Sequence, residues 1–176
     1  MTTSIGTRPS IDAIIESLGY NFNKFDVTDF LHHIATRRSR ELSVHTVPLS
    51  SQLFGFWYST ADTDFVGINA KLHPAHQIHT LLHEIAHMLL GHRGMDLKKL
   101  LGEELFRQLG ISANEGHLRS AAVIDHSVDL QEQEAEHFVL LIQRKLVTAH
   151  RLQELYGDPT SNDMFRPYIL GLDFNS

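Results

Sequence analysis

The stretch HTLLHEIAHMLLGH, His79–His92, decides how this chain reads. Ile78, Leu81, Leu82, Ile85, Met88 and Leu89 recur at helical spacing around it. They predict a helix from Pro74, which suits a first turn because its missing N–H costs nothing there, to about Gly91. Inside the helix stands H-E-x-x-H: His83, Glu84, Ile85, Ala86 and His87. Two histidines four apart project from one face about one turn apart, so both rings can share a tetrahedral metal ion. Glu84 is rotated by about 100° from His83, beside the ion rather than on it, where it can take a proton from water as general base. Burying that carboxyl between two histidines without a metal would be costly. In a chain with 13 histidines the pattern still arises by chance with a probability of about 0.05, so the context has to decide.

The neighbouring histidines do not complete the site. His76 and His79 lie on the same stripe as His83 and His87, nearer the helix start, and read as mouth or surface residues. His92 comes five residues after His87, about 140° around the helix, and falls outside. The pattern H-E-x-x-H-x-x-G-x-x-H fails, because Leu90 and Arg93 stand where Gly and His are needed.

A catalytic zinc needs three protein ligands and an open position, so the third must come from elsewhere. The segment DLQEQEAEHFVLLIQRKLV, residues 129–147, reads as a second amphipathic helix. With Glu132 at 0° on a helical wheel, Val139, Leu146, Ala135 and Ile142 fall at about −20°, −40°, −60° and −80°. Glu132 thus borders the apolar stripe and is the expected third ligand, with Asp125 and His126 in reserve. Glu136 follows at about +40° and suits a supporting bond to a ligand histidine. Glu134, at about 200°, is expected to face water. Small Ala135 would let the two helices approach closely.

The rest of the chain sets bounds. Its 176 residues suit one domain, 1–176, with an insert around 94–128. With no cysteine, a metal must be held by His, Asp or Glu. A net charge of −6 argues against direct nucleic-acid binding. The absence of a signal-like start or a long apolar run makes a cytoplasmic protein, without membrane contact, the expectation.

Two short helices are expected near residues 10–19 and 25–38. Strand-like runs follow at ELSVHTVPL, FGFWYST and DFVGINAKL, with a hairpin turn at 61–64. MDLKKLLGEELFRQLG, residues 95–110, reads as another amphipathic helix, and residues 158–176 as a segment closing over the core. The expected fold class is therefore α+β. A short, mostly antiparallel sheet of about three strands packs on helices that include the H-E-x-x-H helix and the Glu132 helix.

DFVGIN, HTLLHEIAHMLLGH and EQEAEHF, in that order, resemble the ImmA/IrrE family of metallopeptidases, gluzincin-type zincins. The family pattern is similar to F-T-L-A-H-E-L-G-H-x-L-L-H followed by E-x-E-A-N-x-F-A-x-x-L-L. Glu136 departs from it, standing where Asn or Asp is usual. The resemblance implies a zincin-like domain holding one zinc ion on His83, His87 and Glu132, with Glu84 as the base. It also implies a regulatory endopeptidase that cleaves or inactivates a helix-turn-helix repressor of the XRE type, in stress, phage or toxin–antitoxin control.

A substrate is expected to lie along Phe65, Val66, Gly67, Ile68 and Asn69 as an edge strand. Tyr58, His117 and His126 are candidates for stabilising the reacting carbonyl oxygen. The alternatives are a binding module that sequesters a transcription factor without cutting it, and a metallohydrolase of small molecules.

Overall fold

Short polar caps, one proline and one glycine set where the helices begin and end. In a computed structural model, which describes residues 9–92 and 126–156, the first helix, α1 (Ile11–Ser17), is opened by Ser10, whose hydroxyl accepts the N–H of Ala13. Asp26 opens α2 (Val27–Arg38) by accepting the N–H of Asp29 at 2.9 Å. The third helix, α3 (Pro74–Leu90), starts on its proline and stops at Gly91, whose φ of 66° is left-handed and suits glycine. The fourth, α4 (His126–Tyr156), runs beyond the expected 129–147 at both ends. The expected insert lies outside the described residues as far as 125, as do its helix at 95–110 and the segment 158–176.

Between α2 and α3 lie β1 (Glu41–Val47), β2 (Gly55–Ser59) and β3 (Thr63–Asn69), ordered β1-β3-β2 in one sheet. The chain is α+β with three strands, as expected. The sheet is mixed. β2 and β3 form the antiparallel hairpin, but β1 runs parallel to β3, with Val44 opposite Val66.

One expectation falls with this order. β3, taken for the edge strand that would offer Phe65, Val66, Gly67, Ile68 and Asn69 to a substrate, is the central strand and is paired on both sides. Its residues show why. Val66 and Ile68 are buried in the core, while on the other face a Cβ at Gly67 would lie only 2.3 Å from the Phe56 ring. A strand packed on both faces belongs in the middle of a sheet.

The core forms where Trp57, Val66 and Ile68 meet Leu81, Leu82, Ile85 and Ala86 of α3 and Ala135, Phe138, Val139 and Ile142 of α4. Strand alternation sends Phe56 and Tyr58 to the opposite face. There the Tyr58 ring stacks on Phe65 at 4.6 Å, away from α3, so it cannot serve a site on that helix.

Asp64 ties the far end of the sheet to α2. Its buried carboxyl takes Arg38 Nε at 2.7 Å and Arg40 Nε at 3.1 Å, while Arg40 also donates to the carbonyls of Thr60 and Ala61 in the hairpin turn. Burial raises the pKa of Asp64. Hydrogen bonds from Arg38 and Ser59 and the charges of Arg38 and Arg40 outweigh that and hold it below the ordinary value. Asp64→Ala should therefore cost about 2–4 kcal/mol in urea unfolding at neutral pH, since it leaves two guanidinium groups unpaired. Because the folded-state pKa is depressed, this stabilisation is complete above the unfolded value of 3.8 and fades as pH falls below it. A difference from wild type that did not shrink in acid would contradict the assignment.

Candidate metal centre

The apolar side of α3 is held against the sheet and α4, which leaves its histidine stripe at the seam between the two helices. His83 and His87, four apart, bring their Nε2 atoms to 2.9 Å from each other. Glu132 of α4 closes the group, with Oε2 at 3.1 Å from His83 Nε2 and Oε1 at 3.4 Å from His87 Nε2. Ligand atoms of a tetrahedral zinc site lie about 3.3 Å apart, so the three residues fit such an ion. His87 is buried and His83 nearly so, whereas Glu132 is partly open to solvent.

Glu132 can come this near because Ala135, one turn on, is fully buried at the contact between the helices. Hydrogen bonds from His83 and then His87 pull the Glu132 carboxyl far below its usual range, against the opposing effect of burial. Burial lowers the pKa of His83, but the hydrogen bond to Glu132 and the charges of Glu84, Glu132 and Glu136 outweigh it and raise the value.

Glu84 stands apart from this pairing. It is buried, and its Oε2 makes no hydrogen bond among the described residues. Burial pushes its pKa up to about 8, opposed by the nearby His83 and reinforced by the charge of Glu132. The side chain fits because β2 begins with a glycine: a Cβ at Gly55 would come within 2.6 Å of Thr80 Cγ2 and 3.0 Å of Glu84 Oε1. Beside Glu84 opens a groove of about 640 Å³ lined by Leu53, Phe54, Gly55, Leu72, His79 and Thr80.

Glu136 lies behind His83. Its Oε1 is 2.9 Å from His83 Nδ1, close enough for an ion pair but out of line for a hydrogen bond, and 3.3 Å from His79 Nε2. His79, His83 and Glu136 thus form a second group with metal-ligand spacing. It is the more exposed one and draws on the other nitrogen of His83. His76 lines the groove. His117 and Asp125 lie outside the described residues, and His126 is the first residue of α4.

Helical spacing misplaced Glu134 and gave His92 no contact. His92 is buried, with Nδ1 2.9 Å from His87 Nδ1, and Glu134, expected to face water, reaches His92 Nε2 at 2.9 Å. His92 is not on the helix at all. The signal that could have found it is Gly91, because a glycine ending a helix folds the next residue back on the last turn.

The raised pKa of Glu84 makes a stability prediction for the chain stripped of metal by a chelator. The folded state keeps the Glu84 proton up to about pH 8, whereas the unfolded chain releases it near 4.5. Wild type therefore loses stability to this group as pH rises between those values. Glu84→Gln should raise the unfolding temperature, by an amount that grows over that interval and levels off above it. A difference between the two proteins that stays constant with pH would be the contrary result.

No curated protein and no solved structure matches the chain. A family model described as IrrE N-terminal-like domain, Peptidase_M78, matches residues 41–154. That span begins at β1, takes in the whole of α3 and reaches nearly to the end of α4, so it holds both helices that meet at the His83, His87 and Glu132 cluster. On this match the chain belongs to the IrrE N-terminal-like family, and its domain is of the metallopeptidase type.

Proposed function

We propose that this chain is a zinc-dependent endopeptidase with a regulatory role, acting in the cytoplasm on a helix-turn-helix repressor of the XRE type. The observation that carries the reading is the convergence of His83, His87 and Glu132, from two helices, beside a buried glutamate whose Oε2 makes no hydrogen bond among the described residues. A peptidase implies a protein substrate, and an acidic chain suits a basic DNA-binding one better than DNA itself. Among the described residues no helix is long and apolar enough to cross a membrane.

His83, His87 and Glu132 would hold the zinc ion, which supplies Lewis acidity that polarises the scissile carbonyl and eases deprotonation of water. Glu84 takes the proton from the attacking water and passes it to the leaving amine. Its buried place next to His83, on the wall of the groove, sets the carboxyl beside the water it would deprotonate. Glu136 steadies His83 from behind.

The substrate backbone pairs with β2 rather than β3. Among the described residues β2 is an outer strand bonded to β3, and it starts at Gly55 against Glu84. The groove beside Leu53, Phe54 and Leu72 then takes apolar side chains of the substrate.

Purified protein should carry about one zinc per chain by elemental analysis, and His83→Ala, His87→Ala and Glu132→Ala should lose it. Incubated with a helix-turn-helix repressor of the XRE type, the wild type should yield discrete fragments. Glu84→Gln should keep its zinc and lose cleavage by at least about 100-fold. Undiminished cleavage by that variant would sink the mechanism. A variant that cannot cut yet still relieves repression in cells would instead reveal a sequestering module.

A further inference from the structure

The turn that ends α3 does more than stop a helix. Gly91, with φ at 66°, lets the chain double back, and His92 N–H bonds to the His87 carbonyl at 3.0 Å. In this kind of helix end the residue after the glycine contacts the residue five before it. Here both are histidines, and the earlier one belongs to the candidate metal centre. Their ring centroids lie 4.9 Å apart at 72°, and both side chains are almost fully buried.

One arrangement of protons suits a metal-bound His87. His87 turns Nε2 toward His83 and Glu132, so its lone pair on that nitrogen is the one available to a metal. A neutral imidazole that gives its Nε2 lone pair to a metal carries its proton on Nδ1. The atom facing His87 Nδ1 at 2.9 Å is His92 Nδ1, which must therefore accept. His92 is then left with its proton on Nε2, and Glu134 Oε2 lies 2.9 Å from that nitrogen to receive it. Each ring has one donor and one acceptor, and each is matched.

We propose that His92 and Glu134 are positioning residues for the metal centre: Glu134 holds the His92 ring, and His92 holds His87 in the tautomer and orientation that present Nε2 to the ion. This rests on the reading of His83, His87 and Glu132 as ligands. The arrangement resembles the carboxylate–histidine–metal pairing that supports many ligand histidines, with a second imidazole placed between the carboxyl and the ligand. His83 has its carboxyl, Glu136, directly behind it; His87 reaches one only through His92.

The test is zinc affinity of the full chain, by competition with a chromophoric chelator, for wild type, His92→Phe, His92→Gln, Glu134→Ala and Glu132→Ala. Thermal unfolding of each metal-free protein serves as the control for folding. His92→Phe and Glu134→Ala should weaken zinc binding by about 10- to 100-fold. His92→Gln, whose amide can accept from His87 and donate to Glu134, should recover most of the loss, which a purely structural role for the ring would not produce. Nitrogen-15 NMR of the zinc-loaded protein should find the His87 Nδ1 proton held in a hydrogen bond to His92 in wild type, with that bond lost in His92→Phe.

If His92→Phe fails to fold, Glu134→Ala decides the matter, since its side chain is partly exposed and its removal leaves no large cavity. Zinc binding within about twofold of wild type in the folded variants, with Glu132→Ala abolishing it, overturns this proposal and leaves the metal centre standing. A wild-type chain that binds no zinc, or binds it equally well as Glu132→Ala, overturns both.

Discussion

The contact between α3 and α4 is the constraint on which the rest of the structure depends. Two side chains of the candidate metal centre come from one helix and one from the other, and their facing atoms lie 2.9 to 3.4 Å apart. Such spacing survives only if the two backbones are held to within about half an ångström. Fully buried Ala135 permits the approach, and Phe138, Val139 and Ile142 continue it along α4. The sheet acts as a backing plate: Trp57, Val66 and Ile68 fill the space behind α3, so that its histidine stripe can face only the seam. Asp64 and its two arginines hold that plate to α2 at the far end. Interactions that seem remote from the chemistry thus set its tolerances.

Glu84 shows what the arrangement costs. A carboxyl oxygen buried without a hydrogen bond opposes folding, and its raised pKa measures that opposition. Relief would be easy: a donor nearby would satisfy the oxygen. Such a change would stabilise the fold and bring the pKa of Glu84 back down, the trade expected where a protein keeps an unfavourable group. The apolar packing of α3 against the sheet and α4 offsets the cost.

Much of this was legible in the residues themselves. Pro74 and Gly91 delimit α3 by local chemistry, and Glu132 could be singled out because the wheel measures its offset from Val139 and Ile142 directly. Strand order could not be read that way. Whether β1 pairs with β2 or β3 depends on long-range contacts, here the Arg40 clamp on the hairpin and the two-sided packing of Val66 and Gly67. The edge expected at DFVGIN rests on the resemblance, whose pattern runs from an edge strand into the H-E-x-x-H helix, and a local pattern cannot show which strand pairs on its far side. His92 and Glu134 were missed for another reason. A wheel places residues only on the helix it describes, and His92 sits past the end of α3, turned back by Gly91.

The acidic run EQEAE takes on a different meaning once that turn is considered. Three glutamates spread over about 200° of a helix would ordinarily include one or more that simply meet water. On α4 each finds a histidine: Glu132 reaches His83 and His87 on the seam, Glu136 reaches His83 Nδ1 and His79 from one side, and Glu134 reaches His92 from the other. A straight helix like α3 presents one stripe, and one stripe could satisfy only the glutamates nearest the seam. The left-handed residue at position 91 adds a second imidazole surface, off the helix axis, where the third glutamate can use it. The spacing of the acids on α4 is therefore matched to the shape of the α3 terminus as much as to its sequence. Changing Gly91 to a residue that resists a positive φ would disturb Glu134 and His87 together, through the same turn.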